Sequence, residues 1–558
     1  MKRVIGIVII FVTLCIACNY ALASDTRTSG LYTYSIKGNG TITITAFDWE
    51  NNDGDVYIPT MIDGYSVTGI GNRAFADNRT GQKETVSVNI PNSITSIGDF
   101  AFEGANIVYA NIPKSISIIG INPFCRCVML KQIAVDPQNE KYASVDGALY
   151  EKAKKMLISY PISLSAAIPK GITTIGDYAC VGVTWDAFRD EGYFTKESTI
   201  TTIGNYAFCD ATITEGGSLM PDSVESVGEY AYYQVTIMAK NGIRHNRPEE
   251  INPSMDWQYG GVNSWEYFSI LGKNVKKLGR GAFQLAEIYC AQQKDVSGIT
   301  INVSPDILFV VLGWDEGKSA PIQVIPADAF RNMVVHDAGA IIYIKANLDS
   351  IESHAFDGIA NNILVSMDYT SIKEVKEYAF YQSHVVGIMY VDQCEPHGFQ
   401  GMKRRDKIPE IQWKGTEIPA HAFEDAECRI RLKTNELQTI DEYAFCNSGF
   451  IAIYLADELQ KISIKTIGAH AFDNAGGSSF LLPDVLEKIG EGAFINNPNL
   501  HEISIPNSVE TIGDNAFDKD NIKLVVYRDS YGEFWAQENG YSYHYEGEDG
   551  ENIDWLNN

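Results

Sequence analysis

Basic residues are scarce in this sequence relative to acidic ones. The chain of 558 residues has 44 lysines and arginines against 71 aspartates and glutamates, which gives a formal net charge of −27 at pH 7. Proteins that bind nucleic acid or anionic membranes use basic surface to do so. The composition therefore argues against a nucleic-acid partner. It fits the solubility of a secreted protein, or attraction to a basic partner or to divalent cations.

Cysteine is also sparse, and its spacing is typical neither of a disulfide framework nor of a zinc site. Two of the ten cysteines, Cys15 and Cys18, lie in an apolar N-terminal segment, and the other eight are scattered. Among these eight, Cys125 and Cys127 are the only close pair, and no second pair follows at metal-ligand spacing. We therefore expect no disulfide framework and no metal site, with Cys180 acting as a small buried apolar residue.

Catalytic motifs are missing as well. No G-x-S-x-G nucleophile elbow occurs in the chain. Residues 313–319 (GWDEGKS) are one residue short of a phosphate-binding loop, and residues 48–55 (DWENNDGD) have Trp49 where a calcium loop needs Asp. The sequence therefore predicts a protein without enzymatic activity and without a cofactor.

Long apolar runs are absent beyond the N-terminus. Met1-Lys2-Arg3 precedes a short apolar stretch, and Ala21-Leu22-Ala23 has the A-x-A pattern of a cleavage site. The stretch is too short to span a membrane, so we interpret residues 1–23 as a signal peptide cleaved after its last residue. The alternative is a lipoprotein signal with Cys18 lipidated, although Cys15 stands where such signals usually have Leu.

One pattern fills most of the remaining chain. Fifteen times an Ile, Val or Leu is followed five residues later by a large or buried apolar residue, and in fourteen of these cases Ala precedes it. Ten gaps between these anchor residues are 22–28 residues long and four are 43–56. Such a period is typical of a solenoid, and the four long gaps predict four degenerate units, hence about 19 turns. The anchors are Phe75, Phe102, Phe124, Cys180, Phe208, Tyr232, Phe283, Phe330, Phe356, Phe380, Phe423, Phe445, Phe472, Phe494 and Phe517.

Each unit has a second pattern upstream of its anchor. Residues 86–90 (VSVNI) alternate apolar and polar side chains and end at Pro91, which indicates a short strand. A Pro lies six residues before the Ile or Val in six units. We therefore expect each unit to contain a strand, a turn and a bend at Ile-Gly. At Ala-Phe a small residue then lies beside a large one. The Ile, Ala and Phe residues are predicted to be core and are excluded as sites.

A ring occupies the third position after the Ile or Val in many units. This register predicts a ladder of flat rings along one edge, explained either by stacking that covers the boundary between turns or by a binding stripe or metal site. His421 and His470 are separated by the unit of Tyr443, which argues against a shared metal. The ring residues are His354, His421, His470, Phe100, Tyr178, Tyr206, Tyr230, Tyr378 and Tyr443.

Composition shifts suggest a division into segments. The sequence predicts an N-terminal β cap at 24–60, a solenoid at 61–523, a C-terminal cap at 524–545 with a short helix, and an acidic tail at 546–558. Within the solenoid we expect a hairpin insertion at 134–161 and irregular segments at 234–262, 284–320 and 392–416.

Two units carry a family resemblance. IPNSITSIGDFAF (90–102) and IPNSVETIGDNAF (505–517) resemble the repeat of the BspA-like leucine-rich repeat proteins of bacteria. The resemblance implies a β-rich, right-handed coil with a long parallel sheet on one face and short turns or 3-10 segments on the other. Members of that family are secreted or surface-displayed, some act as adhesins for host matrix proteins or other cells, and no catalytic motif belongs to the family.

These observations predict a monomeric secreted or cell-surface protein that binds a protein or glycan partner through its solenoid surface. Tyr109, Tyr343, Tyr390 and Tyr454 occur in strand-like runs, and we interpret them as outward-facing contact residues. One alternative is a structural spacer without a specific ligand. Another is an enzyme, such as a carbohydrate-active one, with a site in 234–320, where His245, Trp257, Trp265 and Trp314 occur.

Overall fold

The fold is described from a computed structural model of the chain. The structure describes residues 26–51, 56–77, 85–153, 155–164, 166–186, 198–215, 219–239, 243–244, 265–272, 274–290, 307–312, 321–336, 339–367, 369–404, 408–433, 435–448, 452–455 and 463–547. The predicted signal peptide with Cys18 lies outside these residues. So do most of the acidic tail, His245, Trp257, Trp314 and the side chain of Trp265.

The chain divides into two compact units, Met1–Thr184 and Trp185–Asn558. The first unit holds β1 (Thr26–Ser29), β2 (Tyr32–Ile36), β3 (Thr41–Phe47), β4 (Met61–Ile62), β5 (Tyr65–Ile70), β6 (Thr85–Asn89), β7 (Ser96–Ile97), β8 (Ile107–Ile112), β9 (Ile118–Ile119), β10 (Gln132–Val135), β11 (Tyr142–Val145), β12 (Ala148–Glu151), β13 (Met156–Ser159), β14 (Thr174–Ile175) and the start of β15 (Thr184–Asp186).

The second unit holds β16 (Thr202–Ile203), β17 (Thr212–Glu215), β18 (Ser226–Val227), β19 (Thr236–Ala239), β20 (Ile243–Arg244), β21 (Trp265–Leu271), β22 (Lys277–Leu278), β23 (Glu287–Cys290), β24 (Ile307–Leu312), β25 (Val324–Ile325), β26 (Val334–His336), β27 (Gly339–Tyr343), β28 (Asn347–Ile351), β29 (Ile363–Ser366), β30 (Thr370–Val375), β31 (His384–Val386), β32 (Ile388–Cys394), β33 (Glu410–Trp413), β34 (Glu417–Ile418), β35 (Arg429–Leu432), β36 (Thr439–Ile440), β37 (Ala452–Leu455), β38 (Thr466–Ile467), β39 (Lys488–Ile489), β40 (Glu502–Ser504), β41 (Thr511–Ile512), β42 (Lys523–Val526), α1 (Tyr531–Asn539) and β43 (Ser542–Tyr545).

The architecture is a β-solenoid of about 17 turns with parallel sheets and almost no helix. In the first unit the sheets run β1-β2-β3-β5-β7-β9, with β4 beside β5, and β10-β8-β6. In the second unit the longest runs are β25-β28-β30-β32-β33-β35-β37, β20-β21-β24-β27-β29-β31 and β34-β36-β38-β39-β41. The predicted fold class is therefore confirmed.

Each regular turn has a short strand that the alternation of side chains did not reveal. The unit at 90–102 follows β6 with Pro91 and a turn, and then β7 pairs Ser96 and Ile97 in parallel with β5 and β9. Two residues are too few to produce a period-2 pattern. The Ile of the repeat is thus a strand residue that hydrogen-bonds to its neighbours in sequence-adjacent turns.

The rings of the anchor residues stack to form the core of each unit. In the first unit the rings of Phe75, Phe102 and Phe124 stack with centroids 5.2 and 5.4 Å apart. In the second unit twelve rings stack in one column with neighbouring centroids 5.0–5.7 Å apart. The column comprises Phe208, Tyr232, Phe283, Phe330, Phe356, Phe380, Phe399, Phe423, Phe445, Phe472, Phe494 and Phe517.

This column corrects the expected number of turns from about 19 to about 17. Tyr232, Phe283 and Phe330 stack directly on one another, so their long gaps hide no further turn. The extra residues instead contribute β21 and β24 to a separate sheet. Phe399 supplies one hidden turn, which makes the segment 392–416 more regular than expected.

The hairpin insertion occupies the remaining long gap. Strands β11, β12 and β13 pair antiparallel, and β13 then pairs in parallel with β14. The Leu157 carbonyl accepts a hydrogen bond from the Gly176 N–H at 2.8 Å, which is the contact that Ile70 makes to Gly98 elsewhere. The last strand of the insertion therefore takes the place of one short strand in the stack.

The two ends of the described chain are closed differently. At the N-terminal end β2 and β3 form an antiparallel hairpin, and β3 pairs in parallel with β5. At the C-terminal end Ser530 Oγ caps α1 by accepting the Glu533 N–H, and Gly540 ends the helix in the left-handed conformation. Trp535 of this helix packs edge-on against Phe517, the last ring of the column.

Close packing, and not a positive φ, explains the glycine that follows the Ile in many turns. A Cβ atom on Gly98 would lie 2.5 Å from the Asn72 amide nitrogen of the preceding turn. At Gly468 it would lie 2.5 Å from the Glu442 amide nitrogen. Neither glycine has a positive φ, so backbone proximity between turns, and not conformational freedom, selects the residue.

We predict that Gly98→Ala destabilises the first unit by about 1–3 kcal/mol, because overpacking forces the backbone to shift. The matched control is Gly38→Ala, where the added methyl would meet nothing within 4 Å and φ is not positive. Urea unfolding followed by circular dichroism measures both variants. Equal midpoints for the two variants would show that the close approach at Gly98 imposes no cost.

Candidate functional site

The four tyrosines predicted to face outward lie in three different sheets. Tyr109 on β8 is 44% exposed, as expected for a contact residue. Tyr343 on β27 is 5% exposed, so the prediction that it faces outward is wrong. Both faces of β27 are covered, since Ile341 and Ile342 are buried together with it. The alternation of side chains cannot distinguish a strand covered on one face from one covered on both.

Tyr390 and Tyr454 belong to one row across neighbouring strands. Tyr390 on β32 pairs with Gln412 on β33, Gln412 pairs with Arg431 on β35, and Arg431 pairs with Tyr454 on β37. Residues paired in register point to the same face of a parallel sheet. Tyr390 is half-buried, whereas the side chain of Tyr454 lies outside the described residues.

Positive charge is concentrated beside this row. The outward positions of β35 and the residue after it are Arg429, Arg431 and Lys433, while the intervening Ile430 and Leu432 are buried. Arg431 Nε lies 3.1 Å from Glu410 Oε1. Arg429 and Lys433 are exposed and make no ion pair with any residue that the structure describes. We call Tyr390, Gln412, Arg429, Arg431 and Lys433 the β35 face.

Gln412 is the polar centre of the β35 face. Its side-chain nitrogen donates to Glu410 Oε1 at 3.0 Å, so one carboxylate orients both this amide and Arg431. Its Oε1 is buried and has no hydrogen-bond partner among the described residues. A second ion pair lies at the edge of the β35 face, where Lys414 Nζ is 2.9 Å from Oδ1 of Asp392 on β32. The arrangement presents guanidinium, ammonium and phenol groups to a partner, whereas the Gln412 amide is buried and holds Glu410 in position.

A ring ladder runs along a different part of the turn, two residues before the anchors. In the second unit six rings stack in sequence with centroids 4.6–5.3 Å apart, which confirms the predicted ladder. They are His354, Tyr378, His397, His421, Tyr443 and His470. Each ring is half-buried, so one edge remains accessible to solvent.

The ladder residues share an unusual backbone conformation. His354, Tyr378, His421 and Tyr443 all have φ between 54 and 58°. This left-handed conformation costs an L-residue roughly 1–2 kcal/mol. In return the N–H of His421 bonds to the Glu442 carbonyl of the next turn at 3.0 Å, and the other ladder residues do likewise.

His397 is the ladder residue that the sequence pattern missed. Its turn has Cys394 in place of the Ile and Gly398 in place of the Ala, although the spacing to Phe399 is unchanged. Its ring stacks on His421 at 4.6 Å with an interplanar angle of 13°. Allowing Cys at the Ile position would have identified this turn from the sequence.

An oxygen acceptor orients each ladder histidine. The Nδ1 atoms of His354, His421 and His470 lie 2.9–3.0 Å from a carboxylate oxygen three residues later in the chain. His397 Nδ1 instead lies 3.0 Å from Gln400 Oε1. The Gln400 amide nitrogen donates to Glu424 Oε2 at 2.7 Å, which connects the acceptors of two adjacent turns.

Comparison with protein families agrees with this geometry. The BspA type Leucine rich repeat region (6 copies) matches residues 41–179, 192–290, 323–425 and 416–538. The chain belongs to this family. The matches cover most of the described turns of this BspA type protein, and the resemblance inferred from residues 90–102 and 505–517 is confirmed.

Comparison with solved structures gave matches to proteins from several bacteria. A leucine-rich repeat protein from Eubacterium ventriosum aligns with 15% identity over 68% of this chain and 95% of its own, with a TM-score of 0.35. One from Bacteroides ovatus has 15% identity, 93% and 99% coverage and a TM-score of 0.34. Pneumococcal vaccine antigen PcpA has 16% identity, 63% and 94% coverage and a TM-score of 0.33. A search of curated proteins gave no match.

Across the described residues of the BspA type protein, no helix combines the length and apolar character that crossing a membrane requires. Seven of the described cysteines are buried. Cys127 Sγ donates to the Phe102 carbonyl at 3.0 Å. Burial raises the pKa of Cys428 to about 12 and holds the pKa of Cys180 well above its ordinary value.

We predict that these buried thiols are unreactive in the folded protein, because the thiolate is the nucleophile and burial opposes its formation. A raised folded-state pKa gives stability that is complete below the ordinary thiol pKa of about 8.5 and is lost as pH rises above it. Iodoacetamide labelling at about pH 8, read by peptide mass spectrometry, should modify Cys180 and Cys428 only in urea. Labelling of either residue without denaturant would contradict the prediction.

Proposed function

We propose that this BspA type protein is a secreted or cell-surface adhesin-like protein that binds a protein or glycan partner without catalysis. The observation that carries the proposal is the register of the β35 face. It places Tyr390, Gln412 and Arg431 side by side on neighbouring strands, next to two cations without ion-pair partners among the described residues. Aromatic and arginine side chains are enriched among residues that dominate binding energy.

The charge of the β35 face favours an anionic group on the partner. Lys414, Arg429, Arg431 and Lys433 outnumber the neighbouring carboxylates Asp392 and Glu410, although the whole chain carries a net charge of −27. An anionic partner is repelled by most of the chain and attracted here, so charge would orient the encounter. Carboxylate or sulfate groups suit planar, forked guanidinium donors.

Affinity would come from several modest contacts. Adjacent turns supply one row after another, so an extended partner can lie across several strands. The half-buried Tyr390 already loses little side-chain freedom on binding, which reduces the entropic cost. Tyr109 lies on another sheet in the first unit and is a separate candidate contact.

Secretion is proposed from the N-terminal segment, residues 1–23, with lipidation at Cys18 as the alternative route to the surface. Mass spectrometry of the mature N-terminus distinguishes the two. Cleavage after Ala23 leaves Ser24 first, whereas lipoprotein processing leaves a modified Cys18.

We predict that Arg429→Glu/Lys433→Glu weakens binding to anionic glycans or acidic matrix proteins at least tenfold, a loss of about 1.4 kcal/mol. The matched control is Lys488→Glu/Lys523→Glu, which makes the same change in net charge at exposed lysines of β39 and β42. Binding of the mature protein to sulfated, carboxylated and neutral glycan arrays and to immobilised matrix proteins provides the measurement. Tyr390→Ala should also weaken binding, and Tyr531→Ala on α1 should not.

Three results would count against this function. Equal losses in both charge variants would indicate dependence on net charge alone. Unchanged binding in Arg429→Glu/Lys433→Glu and Tyr390→Ala would place the contact elsewhere. No binding by the wild-type protein to any probe would favour a structural spacer.

A further inference from the structure

We propose that His397, His421 and Glu424 bind a divalent transition-metal ion. One ring nitrogen of each histidine and one oxygen of Glu424 lie within 4.8 Å of one another. All three side chains are partly buried, so the donors are held in place while one side stays open to solvent. The site lies on the ring ladder, and it is independent of the β35 face.

The fold brings these donors together by stacking two turns in register. His397 and His421 occupy the ladder position of adjacent turns, and Gln400 and Glu424 occupy the position three residues later in the same turns. Glu424 Oε2 lies 2.9 Å from His421 Nδ1 and accepts the Gln400 amide N–H at 2.7 Å. The carboxylate therefore sits between the two turns and next to both histidines.

Among the described residues, the other steps of the ladder lack this combination. His354 stacks on Tyr378, and His470 stacks on Tyr443. On the other side of His470, the next ladder residue is Gly492, where a Cβ would meet the imidazole at 2.6 Å. His354 and His470 each have a carboxylate partner, so their turns reproduce the histidine–carboxylate pair without a second histidine.

The donor set selects the class of metal. Imidazole nitrogen and carboxylate oxygen suit Zn²⁺, Ni²⁺ or Cu²⁺, whereas Mg²⁺ and Ca²⁺ prefer oxygen alone. Zinc holds nitrogen ligands at about 2.0–2.1 Å, which places two of them about 3.3 Å from each other. The two imidazole rings are stacked nearly parallel, so one of them must rotate about χ2 for both nitrogens to reach the same ion. This torsion has a broad range in histidine.

The variants that test this site keep the ladder intact. Tyrosine already occupies the ladder position in the turns on either side of the histidine pair, at Tyr378 and Tyr443. His397→Tyr and His421→Tyr should therefore preserve ring stacking while removing one ligand each. Glu424→Gln retains a hydrogen-bond acceptor for His421 and removes the charge. His470→Tyr is the matched control, because it makes the same change at a ladder histidine that has no histidine in the adjacent turns.

The measurement is titration of the untagged mature protein with Zn²⁺ by calorimetry, and with Co²⁺ by visible absorption, which reports coordination directly. We expect one ion per chain for the wild type and for His470→Tyr. Each of His397→Tyr, His421→Tyr and Glu424→Gln should weaken binding at least tenfold, with unchanged circular dichroism. Equal affinity in wild type and His421→Tyr, or an equal loss in His470→Tyr, would overturn the proposal.

Discussion

The separation between parallel strands, about 4.8 Å, sets the distance between successive turns, and the rest of the structure must fit within it. The anchor rings meet this condition by stacking face to face, as Phe283 does on Phe330 with planes 1° from parallel. The small residues meet it by leaving space, since Ala beside the anchor is fully buried and the glycine after the Ile touches the neighbouring backbone. Large residues fill the space between turns, and small residues beside them let the backbones approach closely.

The same distance decides which residues occupy the ladder position. The chain turns there with a positive φ at nearly every described repeat, and a side chain at that point must be flat enough to stack or small enough to leave room. Rings satisfy the first condition, and Gly281 and Gly492 satisfy the second by accommodating the ring of the preceding turn. Histidine fits the ladder position because its ring is flat. Where two histidines stack in adjacent turns, their ring nitrogens therefore lie close together.

Residues whose environment repeats could be predicted from the sequence, and residues that depend on a particular neighbour could not. Phe102 and Ala101 are predictable as core residues because the same pair recurs in unit after unit. The turn of Phe399 escaped detection because Cys394 is an adequate apolar substitute for Ile, which packing accepts and a pattern restricted to branched residues does not. The burial of Tyr343 is not predictable in this way, because it depends on a covering contact that strand alternation does not encode.

A candidate site in such a fold depends on the difference between one turn and the next. A single outward side chain has little binding energy, but register aligns it with side chains about 4.8 Å away in the adjacent turns. Arg431 pairs in register with Gln412 on the adjacent strand, and both side chains bind Glu410 Oε1. His421 differs from the other steps of the ladder because one of the rings stacked on it is another histidine instead of a tyrosine. The regular core holds these combinations in place, since the register that stacks the anchor rings also fixes every outward side chain of the same turn.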